Sequence, residues 1–207
     1  AETLERLETQ DVEWEGRMEQ ELKRDYHIIT AGKRLDQVAR DFVLHYSNAW
    51  ESGKAMLVCI DKITCVRMYD LILTHWDERV AELEAAIASA PDEQEELYLR
   101  RQVEWMRQTR AAVVVSEEQG EVEKFRKWDL DITPHRRLIK DGIDLPEAMR
   151  QLPQFSNMQR LGLDEAFKEP EHPFRIAIVC AMWLTGFDVP TLSTLYLDKP
   201  LKAHTLM

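Results

Sequence analysis

Four short runs of apolar residues are separated by longer stretches in which apolar positions recur at helical spacing. The runs lie at 55–60, 111–115, 176–182 and 194–197. Each is rich in small, branched or aromatic residues and free of charge, which is typical of strands buried on both faces. Because these strands alternate with helical segments, the sequence predicts an α/β fold, a three-layer parallel sheet with right-handed crossovers.

The helical stretches show one apolar face each. Leu35 to Trp50 carries Leu35, Val38 and Phe42 on one side, and Ser52-Gly53 is a typical stop signal after it. Residues 63–73 predict a second helix, and residues 164–167 predict a short helical turn. The chain from Trp76 to Arg110 predicts two antiparallel helices that join near Pro91. We interpret this segment as a helical hairpin inserted between strands and projecting from the sheet.

Composition limits the possible functions. The 207 residues are 44% hydrophobic and carry a net charge of −11, which argues against a free-standing DNA-binding module. Three cysteines form no Cys-x-x-Cys pair, and Cys59 and Cys180 lie in apolar strands, so buried free thiols are expected in a reducing compartment. There is no signal peptide and no run long enough to span a membrane. We therefore expect a soluble, cytoplasmic protein.

Several catalytic motifs are missing. Gly53-Lys54 resembles the end of a phosphate-binding loop, but position 48 is Asn48, position 55 is Ala55, and the pair precedes its strand instead of following it. No Gly-x-Gly-x-x-Gly occurs, the histidines lack metal-binding spacing, and no nucleophilic triad is visible. The chain alone is therefore not expected to hold and cleave ATP.

A bend after the third apolar run is the main candidate site. The run ends at Thr185-Gly186-Phe187-Asp188, and Gly186 can adopt backbone angles that other residues resist. In open α/β sheets, ligands bind beyond the carboxyl ends of the strands. The sequence therefore places Thr185, Gly186 and Asp188 at a ligand-binding edge, although the same four residues also fit a plain strand-ending turn.

Two separated motifs carry a resemblance to a known family. Residues 183–190 together with 195–204 resemble motif V and its extension in the motor subunit of type I restriction-modification enzymes. Residues 54–62 and 65–69 resemble the motif IV strand and helix of the same family, which belongs to superfamily 2 of helicase-like ATPases. The resemblance covers most of the chain from about residue 29 onward.

The resemblance implies a second RecA-like lobe without a Walker A loop. In that family the first lobe holds ATP and Mg²⁺, and the second lobe closes on the nucleotide and grips DNA. Thr185 would then contact a DNA phosphate, while Gly186 and Asp188 would lie at the nucleotide cleft. Phe187 is expected to be wedged in the core. Other proposed DNA contacts are the basic residues Lys62, Arg67, Arg136 and Arg137.

The same resemblance fixes the expected organisation and partners. From its polar composition we expect residues 1–33 to be a lead-in from a preceding domain. The resemblance implies that 34–207 are the lobe, with the hairpin at about 76–110 and an end before motif VI. We expect a fragment of a longer subunit that works with duplex DNA, a first RecA-like lobe, a nuclease domain, and specificity and methyltransferase subunits. The parent would be an ATP-dependent deoxyribonuclease, and the isolated fragment would be inactive.

Alternatives stay open at this stage. Lys62, Arg67 and the 133–137 basic cluster are also explained as surface charge compensation in an acidic protein. The chain as a whole is also explained as a non-catalytic interaction module that docks a partner through the 76–110 hairpin. A third alternative is a lobe of another superfamily 2 motor, such as a repair helicase.

Overall fold

The computed structural model of the chain describes residues 23–184 and 186–200. Residues 23–29 are helical and lead into the first complete helix. The helices that follow are α1 Gly32–Asn48, α2 Lys62–Ile87, α3 Glu93–Gln108, α4 Glu121–Arg126, α5 Thr133–Asp141, α6 Glu147–Arg150 and α7 Leu163–Lys168. The strands are β1 Lys54–Cys59, β2 Arg110–Val114, β3 Ile143–Asp144, β4 Arg160–Leu161, β5 Phe174–Val179 and β6 Leu192–Asp198, and a 3₁₀ helix covers Pro153–Met158.

The four predicted strands form one parallel sheet in the order β2-β5-β1-β6. Val58 of β1 pairs with Val179 of β5 on one side and with Leu197 of β6 on the other. The predicted parallel α/β fold is therefore confirmed, and the strand positions agree with the apolar runs to within three residues.

Alternate residues of each strand feed two separate cores, because successive side chains point to opposite faces of a sheet. Leu57 and Ile178 pack with α1, α2 and α3 in the larger core. Val58 and Val179 pack with α7 and its neighbours in the smaller one. This arrangement explains why the runs contain no polar alternation, and it establishes the three predicted layers.

The helical hairpin begins inside α2. Asp61 caps α2 by accepting a hydrogen bond from the Thr64 amide at 2.7 Å, and the helix then runs unbroken to Ile87. No Gly or Pro interrupts residues 63–90, and Trp76 is buried, so nothing ends the helix at residue 73. The prediction of a separate helix at 63–73 is therefore wrong. The predicted join near Pro91 is confirmed, since Asp92 caps α3.

The hairpin also projects less than expected. Trp76 donates its indole N–H to the Met106 carbonyl at 2.9 Å, and Leu83, Val103 and Met106 are buried in the larger core. Most of residues 88–97 at the tip of the hairpin are exposed, and Leu97 there is 59% exposed.

Two other boundaries differ from the sequence prediction. β5 ends at Val179 instead of Met182, because its neighbour β1 ends one residue after Val58 and the chain then turns into the α2 cap. The sequence at 116–119 predicts a helix cap and first turn, but α4 starts at Glu121 after Gly120, whose φ is +72°. The Glu121 carboxylate instead accepts a hydrogen bond from the Glu118 amide at 3.1 Å.

The irregular stretch from residue 142 to residue 171 contains a small antiparallel ladder between β3 and β4. Gly142 is required there, since its φ is +83° and a Cβ would lie 2.5 Å from the Leu161 carbonyl oxygen. The short helical turn predicted at 164–167 is confirmed as α7, which covers one side of β5.

The cysteines are free throughout. Cys59 and Cys65 are buried, as expected for thiols in or beside apolar strands, while Cys180 is only half-buried because it lies beyond the end of β5. Among the described residues, no helix has the length and apolar content needed to cross a membrane.

Candidate functional site

The candidate site is the edge of the sheet at the carboxyl ends of its strands. It is formed by the turn after β1 at 60–62, the loop after β2 at 115–120, the loop after β5 at 180–191, and the end of β6 at 198–199. We call this region the carboxyl edge. In parallel sheets this is the side where ligands bind.

The bend after β5 is exposed on the carboxyl edge. Gly186 has a φ of +70°, no atom lies within 4 Å of the position of a Cβ on it, and Asp188 is exposed. Trp183 is also left-handed, with a φ of +67°, which is an uncommon conformation for a large residue. Thr185, the predicted phosphate contact, lies outside the described residues. The bend is therefore open to a ligand, as the site prediction requires.

Stacked aromatic rings support the bend from below. Trp183 and Phe187 are 4.2 Å apart with an interplanar angle of 17°, and Phe167 of α7 lies 5.5 Å from Trp183. The Lys168 ammonium lies 4.7 Å from the centre of the Phe187 ring. Phe187 is half-buried against the smaller core, so it anchors the bend at the rim of that core. This stack accounts for the left-handed Trp183, which turns its indole onto Phe187.

Lys62 opens α2 at the carboxyl edge and is held by an ion pair. Its ammonium lies 3.3 Å from the Glu118 carboxylate, which also accepts Lys124 of α4 at 3.4 Å. Hydrogen bonding from Lys62 and the positive charge of Lys124 lower the pKa of Glu118. The Glu118 carboxylate therefore pairs with both ammonium groups and links the start of α2 to α4.

Asp61 also lies at this edge and has a structural role that the sequence motifs did not single out. Besides capping α2, it accepts a hydrogen bond from the Tyr26 hydroxyl at 2.5 Å. Burial, and then the bond to Asp61, raise the pKa of Tyr26 to about 12. An Asp directly before a helix is a standard capping signal, so the position was detectable from the sequence.

Arg67 lies further along α2, beside an exposed ring. It donates a hydrogen bond to the Thr30 carbonyl at 2.8 Å, and its guanidinium carbon is 6.0 Å from the centre of the Trp128 ring. Arg67 therefore ties the segment before α1 to α2, and part of its guanidinium faces the aromatic side chain.

Arg136 and Arg137 were predicted together but have different surroundings. Arg136 makes a bidentate pair with Glu121 at 2.5 and 2.6 Å and donates to the Val115 and Ser116 carbonyls. This pairing lowers the pKa of Glu121. Arg136 thus fastens the loop after β2, whereas Arg137 is exposed on α5. Of the two, Arg137 has the geometry of a contact with a ligand from outside.

The base of the edge is tied together between strands and helices. Arg34 of α1 binds both oxygens of Asp198 at 3.1 and 2.5 Å, and Lys199 donates to the Cys180 carbonyl at 2.9 Å. A hydrogen bond from Cys65 lowers the pKa of the Cys180 thiol to about 7, and burial raises that of Cys65. A hydrogen bond therefore joins the residue after β6 to the first residue of the loop after β5.

Lys54, the lysine of the Gly-Lys pair, has a structural role at the opposite end of the sheet. Its ammonium donates to the Ala166 and Glu169 carbonyls at 2.8 and 2.6 Å, at the end of α7. Burial lowers the pKa of Lys54 to about 7. Across residues 23–184 and 186–200, no group of three or more acidic, Cys or His side chains is placed to hold a metal ion.

The fold and this edge match a known family. Residues 51–207 match the family described as type I restriction enzyme subunit R domain 3. The match covers most of the chain, including all four strands of the parallel sheet. The chain belongs to this family of type I restriction enzyme domains.

Curated relatives agree. The chain is 28% identical over 182 residues to the HindI endonuclease subunit of a type I restriction enzyme from Haemophilus influenzae, which covers 87% of this chain and 13% of that protein. It is 28% identical over 174 residues to the putative MjaIXP endonuclease subunit from Methanocaldococcus jannaschii, covering 83% of this chain and 12% of that protein. The chain thus spans about an eighth of the length of these relatives.

Proposed function

We propose that this domain is the second RecA-like lobe of an ATP-dependent DNA translocase within a type I restriction endonuclease subunit. The observation that carries the proposal is the exposed bend at Gly186 and Asp188, which follows β5 at the carboxyl edge of a parallel sheet, while Lys62 follows the neighbouring strand β1. Membership of the restriction subunit family supports it and favours this parent over another superfamily 2 motor.

In this proposal the carboxyl edge grips one DNA strand. Lys62 begins α2 and Arg67 lies in its second turn, where both side chains offer positive charge to a phosphate. Thr185 would add a hydroxyl, and Gly186 would let the backbone come close to the strand. Arg137 is a further phosphate contact, while Arg136 positions the loop after β2.

The nucleotide side of the proposal needs a second lobe. ATP supplies the energy of translocation and Mg²⁺ neutralises its phosphates, and both would be held by the first lobe of the parent subunit. The described residues have no phosphate loop, which fits a lobe that contributes only one side of the cleft. Gly186 and Asp188 would face that cleft, and Asp188 would couple the DNA grip to lobe closure. The parent would act in the cytoplasm with separate specificity and methyltransferase subunits.

The test is mutation of the bend in the full-length subunit assembled with its partner subunits. Asp188→Ala and Thr185→Ala should each lower DNA-stimulated ATP hydrolysis about tenfold, or about 1.4 kcal/mol of transition-state stabilisation. Both should leave the melting temperature unchanged. Glu93→Ala and Thr74→Ala are matched controls, because both residues are exposed and lie on the hairpin helices. Normal translocation by folded Asp188→Ala enzyme would contradict the assigned role.

The isolated chain gives a second check. It should show no ATP hydrolysis with or without DNA, because the phosphate-binding lobe is absent from it. Robust turnover in a clean preparation would overturn the proposal.

A protein-docking role for the hairpin is the second candidate, and one observation favours it. Leu97 of α3 is 59% exposed near the tip of the hairpin, and its neighbour Tyr98 is 39% exposed although its hydroxyl accepts a hydrogen bond from Trp50 at 3.0 Å. Exposed apolar side chains in a cluster commonly mark a protein contact. Leu97→Ser should then weaken subunit assembly while leaving DNA-stimulated ATP hydrolysis by assembled enzyme intact, and normal assembly would remove this candidate.

A further inference from the structure

Three free thiols meet on one face of the sheet. Val58 of β1 pairs with Val179 of β5, so Cys59 and Cys180, the next residue on each segment, are neighbours. Cys59 and Cys65 are buried in the larger core, and Cys180 packs against it. The Cys65 thiol donates a hydrogen bond to the Cys180 sulfur. The fold therefore gathers all three cysteines of the chain from β1, α2 and the loop after β5.

The three thiols differ in exposure and in their surroundings. Cys59 and Cys65 are fully buried, whereas Cys180 is half-buried. The hydrogen bond from Cys65, together with the positive charges of Lys62 and Lys199, lowers the pKa of Cys180 to about 7. Burial raises the pKa of Cys65, which keeps that thiol protonated. A thiolate that solvent can reach therefore lies in contact with a second, protonated thiol.

We propose that Cys180 is a peroxide-reactive thiolate and that Cys65 converts its sulfenic acid into a disulfide. Redox-sensing sites combine an accessible thiolate with a resolving thiol beside it, and these two cysteines have that arrangement. Cys59 lacks the exposure that this reaction needs, and it fits the plain role of a buried core residue.

The reaction balances in two steps. The Cys180 thiolate attacks one oxygen of hydrogen peroxide, the O–O bond breaks, and hydroxide leaves, so the sulfur is oxidised to a sulfenic acid. The Cys65 thiol then attacks the Cys180 sulfur, and the S–O bond breaks. The thiol proton leaves with the hydroxyl group as water. Peroxide is the oxidant, and the two thiols supply the electrons that reduce it.

The disulfide would join two elements of the carboxyl edge. Cys65 lies in the first turn of α2, three residues after Lys62, and Cys180 begins the loop that carries the Gly186 bend. The bond would therefore fix this loop to the helix until a reductant reversed it. Its formation does not depend on the proposed function, because it needs only the two thiols and peroxide.

The experiment maps the thiols of the full-length subunit after treatment with a small excess of hydrogen peroxide. Remaining thiols are blocked with N-ethylmaleimide before digestion with trypsin. The three cysteines fall in different tryptic peptides, at 55–62, 63–67 and 176–202. Mass spectrometry should find peptide 63–67 joined to peptide 176–202, and dithiothreitol should separate them.

Two variants form a matched pair. Cys65→Ala removes the resolving thiol, so it should abolish the cross-link and leave a sulfenic acid on Cys180 that dimedone traps. Cys59→Ala makes the same change in the same core and should keep the cross-link. In the untreated wild type at neutral pH, iodoacetamide should alkylate Cys180 at least about tenfold faster than Cys59, because a buried cysteine is inert.

The wild-type map decides the inference even where a variant fails to fold. Absence of the cross-link, with Cys180 unmodified by peroxide, would show that the three thiols are plain core residues and would overturn the inference. A disulfide from Cys180 to Cys59 would overturn the assignment of Cys65. If the predicted disulfide forms and Asp188→Ala leaves ATP hydrolysis normal, the thiol site is supported and only the proposed function fails.

Discussion

The two ends of the sheet are built in different ways. At the amino end, the polar groups are buried and bonded to the backbone: Lys54 binds two carbonyls of the α7 end, and the Tyr46 hydroxyl lies 2.7 Å from the Gly53 carbonyl oxygen and 3.3 Å from that of Arg175. At the carboxyl edge, the ion pairs and hydrogen bonds lie at the ends of the strands. The Gly186 bend has no atom within 4 Å of a Cβ position, and Trp128 is exposed. The amino end therefore holds the strands in place, and the loops at the carboxyl edge remain accessible to a ligand.

The largest effect should come from Tyr46 at the amino end. Tyr46 is fully buried, and its ring lies 5.4 Å from that of Trp105 and 5.9 Å from that of Phe42. Tyr46→Ala should lower the free energy of unfolding by about 4 kcal/mol through the cavity it leaves, and Tyr46→Phe by about 1 kcal/mol through loss of the hydroxyl bond. Urea denaturation of the isolated domain measures both. Equal losses in the two variants would show that packing contributes little at this end.

The next effect separates two neighbouring arginines of the carboxyl edge. Arg136→Ala leaves the buried Glu121 carboxylate and the Val115 and Ser116 carbonyls without their donor, and it should cost about 3 kcal/mol. Arg137→Ala changes an exposed side chain and should cost less than about 0.5 kcal/mol.

The same two variants test the DNA prediction when placed in the full-length subunit. Arg137→Ala should weaken DNA binding and make the affinity less dependent on salt concentration, because a phosphate contact acts through charge. The stability of the protein should not change. A stable Arg136→Ala protein with weakened DNA binding would show instead that Arg136 contacts DNA directly.

Acid should reveal a weakness at the amino end. His172 is fully buried before β5, its Nδ1 accepts a hydrogen bond from the Phe174 amide at 3.1 Å, and burial lowers its pKa from 6.5 to about 4. Between these values the unfolded chain binds a proton that the folded chain does not, so stability falls as the pH falls. The loss from pH 6.5 to about 4.5 should be about 2 kcal/mol from this residue.

The control for the acid experiment is His172→Asn, which keeps an acceptor but does not titrate. Its unfolding free energy should fall less steeply over the same pH range, as followed by urea denaturation at several pH values. His135 is also buried with a pKa lowered by burial to about 4, so some acid sensitivity should persist in the variant. Parallel pH profiles for the variant and the wild type would contradict the prediction.

The last prediction concerns Gly186, whose replacement should have only a small effect on stability. A Cβ at this position would meet no atom within 4 Å, so Gly186→Ala costs only the strain of a left-handed residue, about 1 kcal/mol. If the bend approaches DNA closely, the same change should lower DNA-stimulated ATP hydrolysis by more than this small cost explains. Unchanged hydrolysis would mean that the bend stays clear of the ligand.

Much of the fold could be predicted because the strands are buried on both faces. Such strands have no polar alternation, so the runs around Leu57, Val113 and Ile178 were plain in the sequence. The end of β5 was harder to predict, since it depends on where its neighbour stops pairing. The sequence does not indicate that α2 continues past residue 73, because this depends on the burial of Trp76 in the larger core.

The site was predictable only where local sequence determines it. Gly186 and Asp188 followed from a strand that ends in a Gly-containing turn, and the structure leaves both exposed. Arg136 and Arg137 look alike in the sequence. They differ in the structure because Arg136 pairs with Glu121, fifteen residues earlier, whereas Arg137 is exposed. The contact between Arg67 and Trp128 joins residues sixty-one positions apart, so no local sequence pattern indicates it.

The continuity of α2 has a mechanical consequence. At a rise of about 1.5 Å per residue, its 26 residues form a rod about 39 Å long. One end begins at the Asp61 cap and Lys62, and the other reaches the hairpin tip at Ile87. The turn at the proposed DNA grip and the tip of the hairpin are therefore the two ends of one continuous helix, so neither end can rotate about the helix axis without the other.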